Sequence, residues 1–171
     1  MATRTPLSLK ARAVGLLAQR EHSRAELRRK LLRIEQQRAR LAAARATAEG
    51  EESPAAEGDP EAGEAAVDAL LDTLAADGYL DETRFVESRL HLRAGRFGAQ
   101  RIQQELAQHG LKLDAEQQAT LRSTELERAR EVWHKRFGAE PSTEPAERAR
   151  QVRFLMARGF APDLVRRLLK A

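Results

Sequence analysis

The 171-residue sequence has no cysteine, one tryptophan, one tyrosine and two methionines. Without cysteine there are no disulfides, no thiolate metal ligands and no cysteine nucleophile, and a reducing compartment fits. β-Branched and aromatic residues are also scarce: six Val and two Ile stand against 31 Ala and 23 Leu, and aromatics amount to 4%. Ala and Leu lose little on entering a helix, whereas the residues that fill pleated surfaces are nearly missing, so an all-α protein is expected. No apolar run approaches the roughly 18 residues of a membrane span, and Met1-Ala2-Thr3-Arg4-Thr5-Pro6 leads into no apolar signal region. The expectation is a soluble, cytoplasmic chain without membrane contact.

The side chains of catalysis are present but not arranged for it. His22, His91, His109 and His134 are scattered with no metal-like spacing. No phosphate-cradling Gly-x-x-x-x-Gly-Lys-Ser/Thr occurs, Gly95 and Gly98 sit between expected helices rather than after a strand, and there is no nucleophile elbow. Asp68 and Asp72 lie one helical turn apart, where a solvated acidic face outweighs acid–base chemistry. The reading is therefore no enzyme, no cofactor and no metal.

The net charge of +4 hides a strong asymmetry. Residues 1–45 carry 12 Lys and Arg against 3 Asp and Glu, residues 46–87 carry 1 against 13, and residues 88–171 carry 17 against 10. Two basic blocks thus flank an acidic one. Such clustering suits a protein that meets phosphate backbones or an acidic protein surface, and equally a solvated helical surface, since Arg is a good helix former.

Apolar spacing and capping residues define nine short helices. Leu9, Ala13, Leu16 and Leu17 form the first stripe, and Ser23 with Glu26 is a capping box opening a helix that buries Leu27, Leu31 and Ile34. The pattern then decays, and from about 47 to 63 no large apolar residue offsets the entropy of ordering, so a disordered acidic insertion is expected at about 35–63. Val67, Leu70, Leu71 and Leu74 resume the pattern. Asp81 caps a helix carrying Phe85, Val86, Leu90 and Leu92, and after Gly95 and Gly98 the next buries Ala99, Ile102 and Leu106. Asp114 with Gln117 starts a sixth helix and Thr124 with Glu127 suggests a capping box for a seventh, bearing Leu126, Ala129, Trp133 and Phe137. The eighth is read as burying Ala149, Val152, Leu155 and Met156, and Pro162 opens the ninth, with Leu164, Val165, Leu168 and Leu169.

The stops repeat. Leu-x-x-x-Gly followed by a large apolar residue occurs at Leu74-Gly78-Tyr79, Leu106-Gly110-Leu111 and Leu155-Gly159-Phe160, the pattern of a Schellman stop whose following residue folds back on the last turn. Three three-helix repeats follow from this: residues 8–76 including the insertion, 81–122, and 124–170.

These residues resemble the RecX family of bacterial regulators of the RecA recombinase. Ser23-x-x-Glu26-Leu27-x-x-Lys30-Leu31 matches the family's first repeat. Gly78-Tyr79-Leu80-Asp81-Glu82-x-Arg84-Phe85 and Arg96-Phe97-Gly98-x-x-Arg101-Ile102-x-x-Glu105-Leu106-x-x-x-Gly110 match the middle one, and Phe154-Leu155-x-x-Arg158-Gly159-Phe160 the third. The stretch from about Glu35 to Gly63 departs from the family, whose members turn quickly there. The resemblance implies an elongated, curved helical monomer lying in the groove of the RecA–DNA filament. It would inhibit ATPase, strand-exchange and coprotease activities and so affect DNA repair and the SOS response, with non-specific DNA contact as an accessory.

The candidate contacts for RecA or DNA are Arg84, Arg89, Arg93, Arg96, Arg101, Arg150 and Arg153. On the fourth helix Arg89 and Arg93 fall inside the apolar arc, where either their stems pack while the guanidinium groups snorkel, or the face lines an open groove that receives carboxylates and phosphates. The competing reading is a DNA-binding helix-turn-helix-like module acting without RecA, built from the helices joined through Gly78. The acidic Asp81-Glu82 turn of its second helix would meet phosphate badly.

Overall fold

The computed structural model describes residues 7–48, 60–138 and 140–170, which form nine α-helices and no strand. In chain order these are α1 (Leu9–Leu17), α2 (Arg24–Ala48), α3 (Pro60–Ala76), α4 (Glu82–Ala94), α5 (Ala99–Ala107), α6 (Ala115–Ser123), α7 (Glu125–Phe137), α8 (Pro145–Ala157) and α9 (Pro162–Lys170). The chain divides into two compact units, Met1–Phe85 and Val86–Ala171, so that α4 crosses the boundary.

The first unit packs α1, α2 and α3 around Ala13, Leu27, Leu31, Val67, Leu71, Leu74 and Leu80. Local chemistry sets the entries: Ser8 Oγ accepts from the Ala11 N–H (3.2 Å), Ser23 Oγ from the Glu26 N–H (3.1 Å), and Asp81 Oδ1 from the Thr83 and Arg84 N–H groups (2.8 and 3.1 Å). Asp68 and Asp72 do more than form a solvated face. Asp72 accepts from Arg24 (2.7 Å), and Arg28 reaches Asp68 (2.7 Å) and Glu64 (2.8 Å), setting the antiparallel register of α2 and α3. The Arg28 hydrogen bonds hold the Asp68 carboxyl below the usual carboxylate range.

Two features of this unit differ from the sequence reading. The helix of Leu27 and Leu31 does not end near Ile34 but runs to Ala48, and α3 starts at Pro60, so residues 35–48 and 60–63 are helical rather than disordered; residues 49–59 of the expected insertion lie outside the described residues. Ala, Arg, Gln and Leu are strong helix formers and sustain α2 beyond the point where burial ends, and Glu35–Arg38 (2.9 Å) adds an i,i+3 pair. At the first stop Tyr79 is exposed, and Leu80 takes the buried position.

His22 is buried beneath the α1–α2 turn, with Nδ1 2.9 Å from the Arg20 carbonyl and Nε2 3.0 Å from Lys30 Nζ. Nδ1 therefore carries the proton and Nε2 accepts from the ammonium, an arrangement that protonation destroys. Burial lowers the His22 pKa from 6.5, the Arg20 carbonyl acting against it. Burial alone would raise Glu26, but the Arg20 hydrogen bond and the charges of Arg20 and Lys30 outweigh it and bring its pKa from 4.5 to about 2. Both groups bind protons more readily when unfolded, so the His22 contribution is complete above pH 6.5 and lost below it, and that of Glu26 is complete above 4.5 and lost as the pH falls towards 2. The urea midpoint should therefore fall monotonically on acidification from pH 7, and His22→Gln should flatten the fall between pH 6.5 and 5; a midpoint unchanged over that interval in the parent protein would refute the neutral-histidine assignment.

The second unit has its main cluster in α7, α8 and α9: Ala129, Val132, Trp133, Leu155, Phe160, Val165, Leu168 and Leu169. On α8 the buried residues are Gln151 and Leu155, whereas Ala149 and Met156 are exposed, contrary to expectation. Trp133 explains the choice: its buried indole N–H donates to Gln151 Oε1 at 3.2 Å, which draws a polar side chain to the core face. On α4, Leu92 is exposed although it lies on the Phe85 stripe. At α5 the reading holds: Ala99, Ile102 and Leu106 are buried. Leu106→Ala should cost about 2–4 kcal/mol in denaturant unfolding and replacement of exposed Gln104 about 0.5 kcal/mol or less; equal losses would contradict this packing.

The three stops share one geometry. Gly78, Gly110 and Gly159 have φ of 76°, 74° and 79°, and the next residue's N–H donates to the carbonyl five residues back: Tyr79 to Leu74 (2.9 Å), Leu111 to Leu106 (3.0 Å) and Phe160 to Leu155 (3.3 Å). By contrast, Thr124 makes no side-chain cap; its hydroxyl donates to the Thr120 carbonyl (2.9 Å), so α6 passes directly into α7. Asp114 and Gln117 do form a reciprocal capping box.

Candidate functional site

The second unit brings the end of α8 against the start of α5, and glycine permits the approach. A Cβ on Gly98 would lie 2.1 Å from the Gly159 carbonyl oxygen, and one on Gly159 2.6 Å from Arg101 Cβ. The backbones touch: Gly98 N–H donates to the Arg158 carbonyl at 2.9 Å. The next free N–H of α5, that of Ala99, donates to Oε1 of buried Glu125 at 2.9 Å. Half-buried Arg128 completes the clip, donating to the carbonyls of Ala94 (2.8 Å), Phe97 (2.9 Å) and Leu121 (2.7 Å).

This junction gathers charge around one ring. The guanidinium carbons of Arg93, Arg96, Arg101 and Arg158 lie 5.3, 5.8, 5.4 and 5.8 Å from the centroid of half-buried Phe97, and Arg158 is 4.5 Å from the Phe154 ring. Aromatic faces attract guanidinium groups and hold their stems, which lets four like charges share one neighbourhood. Glu105 offsets part of that charge, 3.0 Å from Arg93 Nε and 4.0 Å from Arg101 Nε. Arg93 Nε is buried and its N–H is not aimed at the carboxylate, so this contact is an ion pair rather than a hydrogen bond. Among the described residues neither Arg96 nor Arg158 has an ion-pair partner; Arg158 Nη1 donates to the Arg96 carbonyl at 3.3 Å. Beside them a cleft of about 270 Å³ is lined by Gly95, Val132, Lys135, Arg136 and Phe154 together with Arg96 and Arg158. The arrangement presents bidentate donors to carboxylates or phosphates.

The seven arginines read from the sequence divide accordingly. Arg93, Arg96 and Arg101 come together at Phe97. Arg150 pairs with Glu147 (3.4 Å) and precedes Phe154 and Arg158 on one stripe of α8, at four-residue spacing. Arg153 is exposed on a different side of that helix, and Arg89 is half-buried and engaged within the chain. Arg84 is consumed internally, by Glu21 (2.9 Å), Asp81 (3.4 Å) and the carbonyls of Gly78 and Tyr79 (3.0 and 3.2 Å), so it locks the α3–α4 turn instead of presenting a free cation. Sequence reasoning missed Phe97 and Arg158, although each adjoins a glycine of the interlock, and it missed Lys135 and Arg136 in the last turn of α7.

Comparison with known proteins places these features in a family context. A family model described as RecX, third three-helix domain, matches residues 123–169. The chain is 47% identical over 168 residues to the Regulatory protein RecX of Ralstonia pickettii, covering 97% of this chain and 89% of that protein. It is 48% identical over 173 residues to that of Leptothrix cholodnii, covering 99% and 93%, and 37% identical over 170 residues to that of Pseudomonas putida, covering 96% and 91%.

Proposed function

This chain belongs to the RecX family of regulatory proteins, and from that membership we propose that it binds the filament of the RecA recombinase and inhibits its ATPase, strand-exchange and coprotease activities, thereby affecting DNA repair and the SOS response. The observation that carries the reading to particular residues is the Phe97 cluster, where Arg96 and Arg158 have no ion-pair partner among the described residues and lie beside a basic cleft. Protonated guanidinium groups preassembled on a rigid interlock lose little on meeting carboxylates or phosphates of a filament. In this reading the three-helix repeats at 8–76, 81–122 and 124–170 are the modules of the contact, with non-specific DNA contact as an accessory.

The alternative, a helix-turn-helix-like module acting on DNA without RecA, finds less support. In the first turn of α4 the Asp81 carboxylate is committed to capping N–H groups, Glu82 is exposed, and Arg84 is tied to Glu21, which leaves this helix start poor in cations. The deciding measurement is titration of the protein into DNA-dependent ATP hydrolysis by preformed RecA filaments. Inhibition well below one molecule per RecA subunit is expected of a protein that occupies the groove or blocks extension; no effect at any ratio sinks the proposal.

A further inference from the structure

The second unit also holds a groove of opposite character. α4 (Glu87, Leu90, His91, Ala94) and α6 with the residue that follows it (Gln117, Thr120, Leu121, Thr124) each contribute one stripe at i, i+3, i+4 and i+7 to a groove of about 500 Å³, with Leu90, Ala94 and Leu121 beneath and Glu87, Asp114 and Glu116 around it. Among the described residues no Lys or Arg lines it, although the unit as a whole is basic. Two stripes with an apolar floor and acidic edges fit a third helix that is apolar along its centre and basic at its sides.

The chain itself carries such a helix. Beyond Glu35, α2 contributes no buried residue, and Leu41 is 55% exposed. Arg38, Leu41, Ala42 and Arg45 fall at i, i+3, i+4 and i+7, placing two apolar residues between two arginines over about two turns, the same length as the groove stripes. Among the described residues Arg45 has no ion-pair partner, and Arg38 has only its neighbour Glu35. An unpacked helical end of this length is marginal by itself, so a site that buries it yields stability as well as affinity.

We propose that the C-terminal part of α2 of one copy docks in the α4–α6 groove of a second copy, so that the protein self-associates head to tail. The contact is heterologous, using one surface from each copy, and leaves a helix and a groove free on every dimer for further growth or ring closure. Its modest size makes the association weak, so the monomer is the dilute limit. The inference concerns residues distinct from the Phe97 cluster and does not depend on the proposed function.

The test uses the full chain without RecA or nucleic acid. In sedimentation velocity the weight-average mass should rise with concentration and fall again with added salt. Leu41→Glu, which spoils the helix, and the pair Glu87→Lys with Glu116→Lys, which spoils the groove, should each stay at monomer mass, with circular dichroism unchanged because the altered positions are exposed. An equimolar mixture of the two variant proteins should form a dimer and nothing larger, since one intact helix meets one intact groove. A wild-type protein that stays monomeric at every concentration overturns the proposal, as do variants that associate like wild type or a mixture that remains monomeric.

Discussion

Gly98→Ala should destabilise the second unit by about 3 kcal/mol or more, against the usual benefit of replacing glycine. Gly98 has φ −75° and ψ 167°, which alanine adopts freely, so backbone strain plays no part. The loss comes from space. The added methyl would sit 2.1 Å from the Gly159 oxygen, 2.3 Å from its carbonyl carbon and 2.4 Å from the Phe160 nitrogen, all backbone atoms of a stop already fixed by its own hydrogen bonds. No side chain can swing aside, and separating the two backbones breaks the Gly98–Arg158 bond. Gly95→Ala is the control: no atom lies within 4 Å of its Cβ, and it should be neutral or stabilising by up to about 1 kcal/mol. Denaturant unfolding of the two variants decides the matter; a Gly98→Ala protein as stable as Gly95→Ala would mean that the α5–α8 contact is not made as described.

Helix existence was legible, and so were the helix ends set by a glycine stop or a short polar cap, because these rest on local chemistry; the Thr124 cap was the exception. A glycine with positive φ four residues after a buried leucine is set by the stop itself, which is why all three stops share the expected backbone form, although at the first it is Leu80 rather than Tyr79 that is buried. The stripe of Ile102 and Leu106 was readable because α5 faces one core. Reading failed where a helix serves more than one environment: α4 crosses from one unit to the other and exposes Leu92, and α8 turns Gln151 inward to meet Trp133 while Met156 faces out. It failed again at α2, where periodicity reports burial and says nothing about a helix sustained by propensity alone.

The candidate site was half legible for a related reason. Clustering of arginine from 89 to 101 is a property of the sequence, but which of those arginines remains uncommitted depends on partners far along the chain. Arg84 is taken by Glu21, 63 residues away, and Arg158 joins Arg96 across 62 residues. Glu125 and Arg128 act over about half that separation, satisfying backbone groups 26 and 34 residues distant. Neither follows a spacing rule, since each is defined by the crossing of two helix ends.

The structure therefore selects the arginines whose reversal tests association rather than folding. Reversing Arg93 would set a new carboxylate against Glu105 at a half-buried position, confounding binding with stability. Among the described residues Arg96 and Arg158 have no carboxylate partner to strand, and the Arg158 carbonyl that receives Gly98 is backbone. Folding should lose the contacts of these side chains with Phe97 and Phe154 and the exposed hydrogen bond from Arg158 to the Arg96 carbonyl, about 1–2 kcal/mol together. Association should lose two charge-assisted contacts and gain repulsion from any anionic surface. If the protein inhibits RecA as proposed, then at about 1.5–3 kcal/mol per contact Arg96→Glu with Arg158→Glu should raise the concentration needed for half-inhibition of RecA ATP hydrolysis by about 100-fold or more. Arg153→Glu, on another side of α8, should change it little. The comparison requires fixed ionic strength, because exposed charges are screened beyond about 8 Å at physiological salt. A double variant that remains helical and inhibits like wild type would remove the Phe97 cluster from the contact surface, while leaving the family's regulatory role to be carried by another face of the molecule.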